Sequence, residues 1–103
     1  MYDLIIKNAK IIDGTGADEF KGAVGVIDGK LKFVNGDEEA SQVIDAEGLY
    51  LTPGFIDAHS HGDQVLGQYP GMLAKINQGI TTEIAGQCGG SMFPATDEHT
   101  DLE

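Results

Sequence analysis

The sequence predicts a β-rich mixed α/β chain in two parts: turn-linked strands up to residue 53, then a strand–helix–strand unit. Three observations support this prediction. Short β-branched and apolar runs recur through the first half. Asp28-Gly29 lies between two alternating apolar runs, a strong hairpin signal because such a turn needs positive φ. After Pro53, two short apolar runs flank a helix-like segment, and a crossover of this kind favours parallel pairing.

The first half is predicted to consist of hairpins. Residues 2–7 and 10–13 are expected to form two short strands around a tight turn at Asn8. Residues 43–45 and 49–51 are expected to pair in the same way around Ala46-Glu47-Gly48.

The hairpin around Asp28-Gly29 has an alternating pattern that assigns its faces. Its strands are expected over residues 23–28 and 30–35. Lys30 and Lys32 are expected to face water. The apolar side chains at alternate positions are expected to share one buried face; they are Val24, Val26, Leu31 and Phe33.

The second half is predicted to be a βαβ unit. Residues 54–58 and 80–85 are expected to be strands. A helix is expected over residues 69–78, because Pro70 suits a first helical turn, Met72, Leu73 and Ile76 make an apolar stripe, and Gly79 can end the helix. The expected domains are therefore residues 1–53, residues 54–95 and an acidic, mobile tail over residues 96–103.

The charge balance disfavours two classes of partner. Asp and Glu number 17 against 6 Lys and Arg, so the formal net charge is −11. Nucleic acid and anionic membrane surfaces are poor partners, because both require clustered cations. No apolar run approaches the roughly 20 residues of a membrane span. Without a secretory signal, and with Cys88 as the single cysteine, the expected location is the cytoplasm.

Three residues could bind a metal ion. His59 and His61 follow a predicted strand, and residues two apart on extended backbone point to one face. Cys88 follows the next strand, so parallel pairing would bring it to the same carboxyl edge, and a thiolate beside two imidazoles suits zinc. The plainer alternatives are two polar residues at a strand–loop junction and a cysteine that packs as a small hydrophobic residue.

Other polar residues have weaker patterns. Asp57 shares the face of His59 and could orient a metal ligand. Asp63 and Ser91 are candidates for contacting the substrate or supporting a ligand, although Asp63 could equally be a surface loop residue. Glu83 is expected to be an ordinary exposed strand residue, and His99 a solvated residue in an acidic run.

Two sequence blocks resemble a known family. Residues 53–61, PGFIDAHSH, resemble the first-strand signature of the amidohydrolase superfamily, and residues 3–14 and 43–48 are similar to the opening of those enzymes. Residues 78–82, QGITT, and residues 86–91, GQCGGS, resemble the N-acyl-D-amino-acid deacylase (D-aminoacylase) family. The resemblance covers essentially residues 1–95.

The resemblance implies a zinc-dependent (β/α)8 barrel, a TIM barrel, beside a small β-sandwich built from both ends of the chain. The implied reaction is hydrolysis of a small-molecule substrate, an N-acyl-D-amino acid, to a carboxylate and a free D-amino acid. His59 and His61 match the first-strand metal ligands, and Cys88 matches the family's cysteine ligand. Gln87, where the family usually carries Asn, and Gly90 with Met92-Phe93 depart from the family pattern near this site. They leave the acyl and side-chain preference open.

The length indicates an incomplete barrel, because a full one needs roughly 250 residues. The resemblance therefore implies an N-terminal portion of a deacylase. The other histidine ligands and the catalytic aspartate are expected downstream of residue 103, so the isolated chain is expected to be inactive. Its unpaired barrel strands would allow self-association.

One alternative is a cyclic-amide hydrolase of the same superfamily, dihydroorotase-like or hydantoinase-like, although those enzymes typically use a carboxylated lysine and Cys88 favours the deacylases. The other is a non-enzymatic β-rich binding or structural domain.

Overall fold

The computed structural model describes residues 1–91. The predictions for the acidic tail and for His99 lie outside the described residues. The chain folds as two compact units, Met1–Pro53 and Gly54–Glu103, and the described part of the second ends at residue 91. No helix in the described part of the chain combines the length and the apolar character needed to cross a membrane.

The first unit is a five-stranded mixed sheet. The strands are β1 (Tyr2–Ile11), β2 (Phe20–Ile27), β3 (Lys30–Val34), β4 (Ala40–Asp45) and β5 (Tyr50–Leu51). Their order is β3-β2-β1-β4, and the short β5 also pairs with β1. The β1–β2 and β2–β3 pairs are antiparallel, whereas β4 and β5 run parallel to β1.

The turn predicted at Asn8 is wrong, because β1 continues through it as one ten-residue strand. Ile6 pairs with Val24 and Ala9 with Gly22, so β1 carries one extra residue between these pairs, as in a β-bulge. Asn8 occupies the left-handed region with φ of 55°, which asparagine tolerates better than most residues. Its side-chain amide donates a hydrogen bond to the Asp45 carboxylate over 3.0 Å. The Asn8 signal therefore marks a bulge and not a chain reversal.

The hairpin predicted between residues 43–45 and 49–51 is also wrong. β4 and β5 do not pair with each other; both follow the same edge of β1. The bend between them lies opposite the bulge, where Asn8 O accepts the Gly48 N–H over 2.8 Å and Leu49 O accepts the Lys10 N–H over 3.0 Å. Because β1 offers these hydrogen-bonding partners, the chain bends at Ala46-Glu47-Gly48 and continues along β1. It does not reverse into a hairpin.

The hairpin predicted around Asp28-Gly29 is confirmed. β2 and β3 pair in antiparallel register from Ile27 opposite Lys30, and Asp28 and Gly29 have φ of 50° and 70°. The shared buried face predicted for this hairpin is wrong in part. Val24 is buried, but Leu31 and Phe33 are 73% and 64% exposed. β3 is an edge strand, and the described residues of this unit leave most of the surface of these two side chains exposed. Among residues 1–91, the buried apolar residues are Ile5, Ala9, Ile11, Ala23 and Val24.

The second unit contains the predicted strand–helix–strand order. β6 (Phe55–Asp57) pairs in parallel with β7 (Ile80–Glu83), and the short helix α1 (Leu73–Ile76) lies between them in the chain. The helix is shorter than the predicted residues 69–78. Met72 precedes it with a left-handed φ of 47°, and Gly79, with φ of 80°, follows the turn that ends it. The chain enters α1 only after this kink, so an apolar stripe alone did not determine the helix length.

Candidate metal centre

The parallel pairing of β6 and β7 brings the two predicted ligand segments to one edge. Ile56 lies opposite Thr82 and Asp57 opposite Glu83, so both strands end at the same level. His59 and His61 follow the end of β6, while Cys88 lies in a 3₁₀ turn, Gln87–Gly89, after β7. The carboxyl edge of parallel strands is where α/β folds place their sites.

The structure brings the three predicted ligands together. Donor atoms of His59, His61 and Cys88 all lie within 4.8 Å of one another, and all three residues are exposed. Cys88 Sγ lies 3.4 Å from His59 Nε2, and the two imidazole centroids are 5.6 Å apart. Tetrahedral zinc, with bonds of about 2.3 Å to sulfur and about 2.0–2.1 Å to nitrogen, would separate these donors by about 3.5 Å. Both the donor types and the sulfur–nitrogen distance therefore fit zinc.

The loop after β7 reaches this position through unusual backbone angles. Cys88 itself has φ of 56°, and Gly86 and Gly89 on either side have φ of 73° and 72°. Residues other than glycine adopt this region infrequently, and such outliers cluster at functional sites. The glycines around Cys88 thus allow the chain to turn its thiol toward His59.

A polar cluster lies beneath the His59-Ser60-His61 segment. Ser60 is only 4% exposed, although both histidines beside it are exposed. Its hydroxyl donates to the Glu83 carboxylate over 3.0 Å and accepts the Gly62 N–H over 3.1 Å and the Lys75 ammonium over 3.2 Å. Lys75 also forms ion pairs with Asp57 and, over 3.6 Å, with Glu83.

Asp57 links this cluster to the first histidine. Its carboxylate accepts the backbone N–H of His59 over 3.2 Å. The hydrogen bond from Lys75, followed by that from His59, holds the pKa of Asp57 below its ordinary value, and the same Asp57 contact raises the pKa of Lys75. Asp57 therefore contacts the backbone of His59, and its predicted role in orienting a ligand stays a prediction.

The remaining candidates lie around this edge. One carboxylate oxygen of Asp63 is buried and has no hydrogen-bond partner among the described residues. Ser91 lies beside Gly86, with its Oγ 3.7 Å from the position that a Cβ on Gly86 would take. The prediction for Glu83 as an ordinary exposed residue is wrong, since its side chain is 23% exposed and contacts both Ser60 and Lys75. Sequence reasoning also missed Lys75, whose only signal was a cation beside an apolar helical stripe.

A His-x-His motif and a cysteine at the carboxyl edge of parallel strands define a candidate metal centre. Residues 42–101 match the model of the amidohydrolase family. This match covers more than half of the chain, so the chain belongs to the amidohydrolase family.

Within this family, the chain is similar to several deacylases. It is 45% identical over 94 residues to N-acyl-D-aspartate deacylase of Alcaligenes xylosoxydans xylosoxydans, covering 89% of this chain and 19% of that protein. Its fold matches the crystal structure of N-acyl-D-glutamate deacylase from Bordetella bronchiseptica, complexed with zinc and a phosphonate inhibitor, at a TM-score of 0.86. That match has 41% identity and covers 91% of this chain and 20% of the deacylase.

A cyclic-amide hydrolase also matches, with a lower score. L-hydantoinase from Arthrobacter aurescens has a TM-score of 0.66 at 29% identity, covering 82% of this chain and 20% of that protein. The chain thus spans about a fifth of the length of the relatives that it matches.

Proposed function

We propose that this chain supplies the first part of a zinc-dependent N-acyl-D-amino-acid deacylase. The observation that carries the proposal is the convergence of His59, His61 and Cys88 donor atoms within 4.8 Å. The similarity to N-acyl-D-aspartate and N-acyl-D-glutamate deacylases supports the substrate class. In this proposal, Met1–Pro53 contributes to a β-sandwich, and β6, α1 and β7 form the first strand–helix–strand of a TIM barrel.

The residues of this chain would have distinct tasks. His59 and His61 would bind zinc as neutral imidazoles, and Cys88 would bind as a thiolate, which adds a negative charge to the centre. Bound zinc lowers the pKa of a water ligand and polarises an amide carbonyl. Asp57 would hold the backbone of His59 through the N–H that it accepts. The resemblance to the deacylases implies that an aspartate downstream of residue 103 transfers the proton to the leaving amine.

The cyclic-amide hydrolase remains the second candidate, because the hydantoinase fold matches too. The deacylase is favoured because the TM-score is 0.86 for the deacylase and 0.66 for the hydantoinase. The presence of Cys88 beside the two histidines also favours it, since the resemblance to the deacylases includes the cysteine block. Gln87 is adjacent to Cys88 and stands where the family usually carries Asn. A substitution at Gln87 would therefore test the preference for the side chain of the D-amino acid.

Cobalt binding tests the metal centre directly. The 103-residue chain should bind Co²⁺ with a thiolate-to-cobalt charge-transfer absorption, and Zn²⁺ should displace it. Cys88→Ser should abolish this absorption and weaken binding by roughly a hundredfold, the share of one ligand in a typical structural zinc site. Ser41→Ala, on the exposed part of β4, is the control and should leave both unchanged. An unaltered absorption in Cys88→Ser would exclude the thiol as a ligand.

A chimera tests the substrate class. This chain would replace the matching fifth of the N-acyl-D-aspartate deacylase, and hydrolysis of N-acetyl-D-aspartate, N-acetyl-D-glutamate and a hydantoin would be compared. We expect turnover of an N-acetyl-D-amino acid, lost on Cys88→Ser. A folded, zinc-loaded chimera that hydrolyses only the hydantoin would overturn the deacylase assignment.

A further inference from the structure

We propose that Glu83 and Lys75 are positioning residues, which hold both histidines toward Cys88 by fixing the hydroxyl of Ser60. This inference rests on the proposed function, because it concerns the same metal centre. It assigns a role to three residues that donate no atom to the donor cluster.

The Ser60 hydroxyl has no remaining freedom in this arrangement. It donates one hydrogen bond, to Glu83, and accepts two, from Gly62 and Lys75. One donated and two accepted bonds are the full capacity of a hydroxyl group. Since Ser60 is 4% exposed, water does not compete for these bonds. The rotamer of Ser60 is therefore set by its three partners.

The position of Ser60 determines where its neighbours point. β6 ends at Asp57 and the chain bends at Ala58 and His59, and within this bent segment Ser60 is buried while the histidines on either side are exposed. When Ser60 is drawn into the interior of the unit, His59 and His61 are turned outward together, as their exposure shows. Asp57 reinforces this arrangement by accepting the His59 N–H. A serine between the histidines thus acts as an anchor for the pair.

Glu83 reaches Ser60 because residue 62 is a glycine. A Cβ at Gly62 would lie 2.0 Å from one oxygen of Glu83 and 2.7 Å from the other. The register places Glu83 opposite Asp57, so two carboxylates share the end of the parallel pair. Lys75 lies between them and forms an ion pair with each. The lysine therefore offsets the repulsion that would otherwise separate the strand ends carrying the two ligand segments.

The test uses Ser60→Ala, Glu83→Ala and Glu83→Gln in the 103-residue chain, with Glu39→Gln as an exposed acidic control. Ser60→Ala and Glu83→Ala should weaken Co²⁺ binding by about 10–100-fold, the range for groups that orient metal ligands. Glu83→Gln should restore most of the affinity, because its amide oxygen still accepts the Ser60 hydroxyl. The control should bind like the unmodified chain.

A metal-free readout separates this inference from the proposed function. The nuclear Overhauser effect between the His59 ring and Cys88 reports their 3.4 Å contact without metal. It should disappear in Ser60→Ala and Glu83→Ala, and the Gly62 amide should exchange faster in both. If the unmodified chain shows the contact but binds no Co²⁺, the metal assignment fails while the positioning inference stands. If Glu83→Ala lowers the hydrogen-exchange protection of the β7 amides, that variant has disturbed the strand itself. The inference is then judged on Ser60→Ala alone. A folded Ser60→Ala chain that keeps the contact and the affinity overturns the inference.

Discussion

Replacing Gly54 by alanine should separate β6 from β7. A Cβ at this position would lie 2.0 Å from Thr81 Oγ1, 2.5 Å from Cγ2 and 2.7 Å from Cβ. Rotation of the threonine side chain can move its Oγ1 and Cγ2 atoms but not its Cβ, so the backbone has to shift. Overpacking of this kind costs about 1–3 kcal/mol, and we expect the upper half of that range because relief requires strand movement.

Native-state hydrogen exchange measures this cost where it arises. The free energy of opening at the β7 amides, Ile80–Glu83, should fall by about 2–3 kcal/mol in Gly54→Ala. Because His59 follows β6 and Cys88 follows β7, Co²⁺ affinity should fall as well. Gly71→Ala is a matched control in the same unit, since a Cβ there would meet only Leu73 Cγ, at 3.9 Å.

A double-mutant cycle identifies the clash as the cause. Thr81→Gly removes the opposing Cβ, so the cost of Gly54→Ala should be smaller in that background than in the unmodified chain. The reasoning is refuted if Gly54→Ala changes the opening free energy by less than about 0.5 kcal/mol, the usual range for a substitution without steric consequences.

Three further predictions concern the first unit and the isolated chain. Gly29 has φ of 70°, and a Cβ added there would meet open space. Gly29→Ala should therefore lower the free energy of unfolding by about 1–2 kcal/mol through the strain of a left-handed backbone alone. Equal urea midpoints for the variant and the unmodified chain would contradict this. Glu38 accepts the N–H groups of Asn35 and Gly36, chiefly the former, and its pKa lies below its ordinary value. The Glu38 carboxylate therefore contributes to stability above the ordinary glutamate pKa, and this contribution is lost as the pH falls through the lowered pKa. Thermal midpoints of Glu38→Gln and the unmodified chain should differ at neutral pH and converge in acid. A difference that stays constant with pH would contradict this prediction. With zinc and N-acetyl-D-amino acids, the 103-residue chain should show no turnover above a metal-only blank, measured as free amine released.

The grouping of His59, His61 and Cys88 could be predicted because much of its signal is local. Imidazole and thiol identify themselves as zinc donors by residue type. The extended backbone expected to put His59 and His61 on one face is not found, because β6 ends at Asp57 and the chain bends at Ala58 and His59. The position of Cys88 needed one further assumption, parallel pairing, which the strand–helix–strand order favours and the structure shows.

The supporting cluster could not be predicted, because its contacts depend on register. Glu83 reads as an ordinary strand residue until Asp57 is known to lie opposite it. Lys75 reads as a helical surface residue until the end of α1 is placed beside both carboxylates. The only local trace of the cluster is Gly62, whose missing side chain makes room for Glu83.

Features that need only neighbouring residues could be predicted from the amino-acid sequence. Asp28-Gly29 produced the predicted hairpin because positive φ is a property of the turn residues themselves. Features that need distant partners depend on how the strands pair in the folded chain. β1 pairs with β2 on one edge, where Asn8 lies in a bulge, and its other edge pairs with both β4 and β5, which therefore do not pair with each other. Leu31 and Phe33 are exposed for the same reason. Alternation shows which residues share a face of a strand, whereas burial depends on what packs against that face.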